Sequence, residues 1–194
     1  MQSFNIFLIG VGGQGIGLLS ETIMKAIDLA EYKVKGVDTH GLAQRGGTVS
    51  SHIRMGDQVF SPLNRTKNVD LIIALERHEA LRGINLFARQ QSTLVYYDAV
   101  WQPLNVRLRK EKQIEISQIS DSCQQKQIKE YRIFVENLID SRMQNVALLA
   151  CISKYNLIPG ISKEHYINAL SDIMQENVLN KNLELFENLI NKSI

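Results

Sequence analysis

The chain has 194 residues, of which 44% are hydrophobic and 22% charged, with a formal net charge of +2. That length suffices for one well-buried domain and would be cramped for two, and so even a charge balance excludes a composition-driven attraction to nucleic acid or to an anionic membrane surface. Cys123 and Cys151 have no second pair near either, which excludes a CxxC metal or iron–sulfur framework built from this chain.

Residues 4–9, FNIFLI, form a continuous apolar run and predict a buried strand ended by Gly10. The start MQSFNIFLIG has no basic n-region, and no stretch nears the ~20 apolar residues that span a bilayer, so a cytoplasmic protein is expected. From Gly15 to about Ala30, Ile16, Leu19, Ile23, Ile27 and Ala30 recur at spacings of three and four, the period of a helix. YKVKGVD predicts a second strand ending at Asp38. TVSSHIRMGDQVFSP alternates and turns at Gly56-Asp57, which predicts a hairpin. VDLIIAL, 69–75, predicts a strand that ends at Glu76, followed by a helix over about Arg77–Arg82. TLVYYD, 93–98, predicts a further strand. Residues 99–132 are less regular: RLRKEK at 107–112 reads as a solvated face, and QIEIS as a strand. Beyond Asn145, VALLACISKY, KEHYINALSDIM and NKNLELFENLI predict three helices, with Ser162 and His165 as a cap for the second. Cys151 lies inside the first and reads as a small core residue. Alternating strands and helices followed by clustered helices predict a single α/β domain over 1–194. It should be a three-layer α/β/α arrangement with a mainly parallel, mixed sheet and a helical C-terminal part.

Two glycine-bearing loops carry the chemistry. GVGGQG, residues 10–15, fits G-x-G-x-x-G through Gly10, Gly12 and Gly15, between a strand and a helix as that motif requires. The glycines permit a tight turn, and the helix start offers unpaired N–H groups to an anion. Asp38, at the end of the second strand, stands where a dinucleotide site places its ribose acid. A nicotinamide or flavin nucleotide and a merely structural turn are equal readings of this loop alone. Gln14 and Gly13 weigh against the first, as does the lack of a second half to recognise the rest of a dinucleotide. The second loop, in VDTHGLAQRGGTVSSHIRMG at 37–56, places a histidine, a glutamine and an arginine beside paired glycines, more than a connection needs.

Together these segments resemble a known family. GVGGQGIGLLSETI, VDTHGLAQRGGTVSSHIRMGD, FSPL with VDLIIALERHEALR, and NVALLACISKYNLIPGIS through NKNLELFENL are similar to the gamma subunit or domain of 2-oxoacid:ferredoxin oxidoreductases. Within that family the likeness is to the small beta subunits that work on indolepyruvate, and it covers essentially the whole chain. The resemblance implies oxidative decarboxylation of a 2-oxoacid, indolepyruvate or another arylpyruvate, to an acyl-CoA with reduction of ferredoxin. It places thiamine diphosphate, magnesium and the iron–sulfur clusters on a large alpha subunit as partner, and none in this chain. CoA is implied as a substrate, and a subunit built to abut another is expected to leave apolar surface through which it self-associates when alone. Neither nucleic acid nor membrane is implied.

Carried onto this sequence, the family's positions are Gly10, Gly12, Gly13, Gln14 and Gly15 in the first loop. In the second they are His40, Gly41, Gln44, Arg45, Gly46 and Gly47. Glu76 matches the acid after the third main strand, and Arg77-His78 replaces a more usual proline-containing turn. His40, Gln44, Arg45 and Glu76 become the catalytic candidates. Gly10, Gly12, Gly13, Gln14, Gly15, Gly46 and Gly47 become the ligand-facing ones. Bland readings stand beside these: Arg45 as an interface anchor, His40 and Glu76 as loop caps, His52 and His78 as unremarkable surface or strand residues. Two other functions stay open, a stand-alone NAD(P)- or flavin-binding protein and a non-catalytic regulatory subunit.

Overall fold

β1 (Phe4–Val11) is apolar on both sides, and it forms the middle of the molecule for that reason. In the computed structural model, which describes residues 3–192 apart from 41–46, 102–105, 107 and 111 and only the backbone of His40, Ile6 and Leu8 face one core while Phe7 and Ile9 face another. The sheet has six strands in the order β2 (Val34–His40), β3 (Thr48–Met55), β1, β4 (Val69–Ala74), β5 (Ala88–Tyr97) and β6 (Lys129–Ile133). β1, β4, β5 and β6 run parallel, and β3 alone runs against both of its neighbours.

Helices cover both faces. α1 (Ile16–Leu29) packs Leu19, Ile23 and Ile27 onto the first core, beside α4 (Gln144–Lys154), α5 (Lys163–Ile173) and α6 (Glu176–Asn191). α2 (Arg77–Phe87) and α3 (Ile116–Gln125) cover the other face through Ala80, Ile84, Ile119 and Cys123. At ~1.5–3 kcal/mol for each fully buried large aliphatic side chain, these two cores dominate the stability. The three-layer mixed-sheet arrangement expected from the sequence is the one observed. So is the cap on α5, where the Ser162 N–H donates to His165 Nδ1 at 3.0 Å.

Two expected strands are corrected. The hairpin across Gly56-Asp57 is absent, because residues 58–66 add no strand. β3 instead pairs on both edges, with β1 and with β2. Pro62 interrupts the segment that would have paired, and side chains hold it instead: Arg54 Nη1 donates to Ser61 O at 3.0 Å and Lys35 Nζ to Phe60 O at 3.2 Å. QIEIS is not a strand either. Glu115 forms a capping box with Gln118, its N–H donating to Gln118 Oε1 at 2.9 Å, and opens α3. Ile119 and Cys123, four apart, then bury the helix face.

Candidate functional site

The parallel strands bring their C-terminal ends to one edge of the sheet. Val11 of β1 stands opposite Thr48, while Gly10 and His40 flank Val49 on its two sides. Leu75 and Glu76 follow β4, and Asp98 follows β5, at the same edge. The chain leaves β1 toward the face carrying α1 and leaves β4 toward the face carrying α2. Between β1 and β4 therefore lies the switch point at which open α/β sheets form a ligand crevice. Beside that point, on the β3 side of β1, a cleft of about 360 Å³ opens at the same edge, lined by Gly12, Gly13, Gly15, Ile16, Gly17 and Val49. A groove of about 410 Å³ on the helical flank, between Leu18, Val146, Met174 and Val178, is slightly larger. It mixes apolar side chains with Asp140, Arg142, Asn177, Lys181 and Asn182 and receives nothing from residues 10–15, where the glycine motif lies.

Gln14 was expected among the donors displayed along this edge. It is buried instead, 1% exposed, and its amide is used internally. The Val11 N–H donates to Gln14 Oε1 at 2.7 Å, and Gln14 Nε2 donates to Leu75 O at 3.1 Å. The side chain thus ties the loop after β1 to the end of β4. Gly12 donates its N–H to Gly47 O at 2.9 Å, joining the two glycine loops directly. Gly10 is required by close approach, since a Cβ there would stand 2.7 Å from Leu75 Cδ1. Gly15, the N-cap of α1, has φ +80°, and a Cβ there would lie 2.7 Å from Asn145 Nδ2. Asp38 accepts from Ser20 Oγ at 3.1 Å, and Ser20 in turn meets Ser51 Oγ at 2.8 Å.

Glu76 is fully buried and caps α2, its side chain accepting the Glu79 N–H. Its other oxygen lies 3.1 Å from His78 Nδ1, and His78 Nε2 accepts the Ile114 N–H at 3.3 Å. The histidine proton therefore sits on Nδ1 and is donated to Glu76. Neither His78 nor His52 is a surface residue, each being 7% exposed. His52 packs against Phe7 and Phe87, and burial pushes its pKa down. Arg77, at the start of α2, pairs with Asp98. Gln44, Arg45, Gly41 and Gly46 lie outside the described residues.

Two residues the sequence reading missed complete the arrangement. Glu79, 2% exposed, accepts from Thr48 Oγ1 at 2.9 Å and lies 3.3 Å from Arg82 Nε, so it clamps the foot of the second loop. Burial, only partly offset by Arg82 and Thr48, holds its pKa above the ordinary glutamate value. Asn145, 2% exposed, donates Nδ2 to Gln14 O at 3.1 Å and to Gly15 O at 3.0 Å. An amide opening a wholly buried helix was the available sequence signal.

Residues 5–191 match the pyruvate ferredoxin/flavodoxin oxidoreductase family. The chain belongs to that family. An indolepyruvate oxidoreductase subunit IorB of Archaeoglobus fulgidus is 30% identical over 98% of this chain and 95% of its own length. The subunit of the same name from Pyrococcus horikoshii is 40% identical over 44% of this chain and 42% of its own. The fold recurs in solved structures. A 2-oxoglutarate:ferredoxin oxidoreductase from Magnetococcus marinus, with 2-oxoglutarate, coenzyme A and succinyl-CoA bound, aligns with a TM-score of 0.72 at 21% identity. That alignment covers 97% of this chain and 30% of the other, so this chain corresponds to less than a third of that one. The pyruvate oxidoreductase subunit PORC from Thermotoga maritima aligns with a TM-score of 0.67 at 14% identity, over 99% and 97% of the two chains.

A family defined by oxidoreductases raises the question of an iron–sulfur cluster. Cys123 and Cys151 are buried thiols on opposite faces of the sheet, each pushed up to about 12 by burial, and they cannot meet at one iron. Among the described residues no three of His, Cys, Asp and Glu converge as metal ligands. The side chains present do not fit a cluster. Nor, among the described residues, is any helix long and apolar enough to cross a membrane.

Proposed function

We propose that this chain is the small, gamma-type subunit of a cytoplasmic 2-oxoacid:ferredoxin oxidoreductase. The complex would convert a 2-oxoacid, indolepyruvate or another arylpyruvate, with CoA to an acyl-CoA while ferredoxin takes the electrons. Thiamine diphosphate, magnesium and the iron–sulfur clusters would sit on a large alpha subunit, and this chain would be active only beside it. The observation that carries the reading is the likeness to a small oxidoreductase subunit across nearly the full length of both chains. The preference for an arylpyruvate rests on what that relative is named.

In this reading the edge bearing Gly12, Gly13, Gly15 and the loop of His40, Gln44, Arg45, Gly46 and Gly47 abuts the partner's active site. All the groups handled there are anionic: the 2-oxoacid carboxylate, the diphosphate and CoA. The N–H groups at the start of α1 suit such charge, and a planar guanidinium at Arg45 suits a carboxylate or phosphate through two parallel hydrogen bonds. Glu76, enclosed between the α2 amides and His78, would fix the edge rather than move a proton.

Co-expression with the large chain, followed by size-exclusion chromatography, tests the assignment. The two should co-elute as one colored complex. Separate elution at every salt concentration tried, together with stoichiometric NADH or NADPH binding by the small chain, would make it a nucleotide-binding protein instead.

A further inference from the structure

We infer that Asn145 is a positioning residue for the glycine loop, fixing which way its amide groups face. The inference rests on the proposed role of that loop. Asn145 comes from α4, far along the chain, yet its Nδ2 reaches the carbonyls of both Gln14 and Gly15. In a planar trans peptide the C=O and the following N–H point in opposite directions. Drawing the carbonyls of Gln14 and Gly15 onto the buried amide therefore turns the N–H groups of Gly15 and Ile16 away from it. Both residues line the cleft at the sheet edge. The Gly15 carbonyl also accepts the Leu19 N–H at 3.2 Å, so α1 shares in holding the second peptide, while the Gln14 carbonyl is held by Asn145.

The orientation of the amide is itself determined. Asn145 Oδ1 is buried and has no hydrogen-bond partner, whereas Nδ2 has two. A flipped amide would set an oxygen against two carbonyls and gain nothing. Gly15 is part of the same device, since any Cβ there would strike Asn145 Nδ2. Through Gln14, which reaches Leu75 O, the hold extends to the residue preceding Glu76. Asn145 thus sets the geometry shared by the loop after β1 and the end of β4, without itself touching a ligand.

The near-isosteric Asn145→Asp separates this role from simple packing. As a carboxylate it repels both carbonyls; protonated, it can donate to one of them. With the full-length chain, amide hydrogen exchange across residues 11–17 should quicken by about tenfold at pH 8, the loss of a hydrogen bond's worth of protection. Measured against the wild type at the same pH, this excess should shrink toward pH 6, while the interior of α4 keeps its protection. In the complex with the large subunit, the apparent KM for indolepyruvate or for CoA should rise by about tenfold, with the same pH-dependent recovery. Asn145→Ser, which is smaller and carries no charge, gives the exchange readout if the aspartate variant does not fold. Unchanged exchange in the loop overturns the inference. So does a loosened loop with both KM values unmoved. A wild-type complex that turns nothing over would instead sink the family-level function, and the exchange comparison would still decide Asn145.

Discussion

Two residues carry predictions at this scale: Arg45, whose proposed role is to meet negative charge, and Glu79, which holds the frame through Thr48. If Arg45 meets an anion in the transition state, Arg45→Ala should leave assembly intact and lower turnover of the complex about a hundredfold, since a pre-organised donor is worth ~3 kcal/mol. Arg45→Lys should recover part of this, keeping the charge and losing the planar fork. If saturating partner restores the alanine variant fully, the residue anchors an interface. Glu79 makes a prediction about stability. Its carboxyl is held above the ordinary range, chiefly by burial. The folded chain binds that proton more tightly than the unfolded chain, so its contribution is fully present below the unfolded pKa and lost as pH rises through the folded one. Glu79→Gln keeps an acceptor for Thr48 and should raise Tm at pH 8, with a gain that shrinks as the pH falls toward ~4.3. A gain that does not depend on pH in thermal scans would contradict this. Neither Glu79 nor Asn145 stood out in the sequence, because burial and cross-chain partners such as Thr48 and Gly15 appear only once the strands are aligned.

At the level of elements, what was legible followed from period and punctuation. β1, α1 and β4 announced themselves by apolar runs or three-four spacing, and the glycine loop by its place between two of them. β6 was missed because KEYRI is a charged edge strand, the composition that protects an edge and hides it from a hydrophobic search. QIEIS misled because two isoleucines two apart fit a strand as well as the approach to a helix start. The pairing of β3 on both edges was not readable either, since its local alternation says nothing about which strands it meets. Arg77 ties the start of α2 to the end of β5 through Asp98. Asp98 also donates its backbone N–H to Ile133 O at 2.7 Å. Asp98→Asn should lower the unfolding free energy by about 1–3 kcal/mol, because it leaves a mostly enclosed guanidinium without its counter-charge. Urea denaturation would show the midpoint shift, and no shift would mean that solvent suffices for Arg77 even though Arg132, 3.9 Å from the same carboxylate, loses its counter-charge too.

Taken as a whole, the molecule presents a sheet edge rich in backbone donors and a surface with isolated large apolar side chains, Phe60 at 85% exposure and Ile139 at 80% among them. The donor-rich edge suits the proposed role of a subunit that completes another chain, and a stable union would bury at least ~1,200 Å² in total. The most direct measurement is omission: the large subunit, purified with its cofactors, is assayed for indolepyruvate- and CoA-dependent viologen reduction with increasing amounts of this chain. Turnover should be near background without it, rise in proportion, and saturate at a fixed subunit ratio. A large subunit that reaches full rate alone, unaffected by any amount of this chain, would contradict the account.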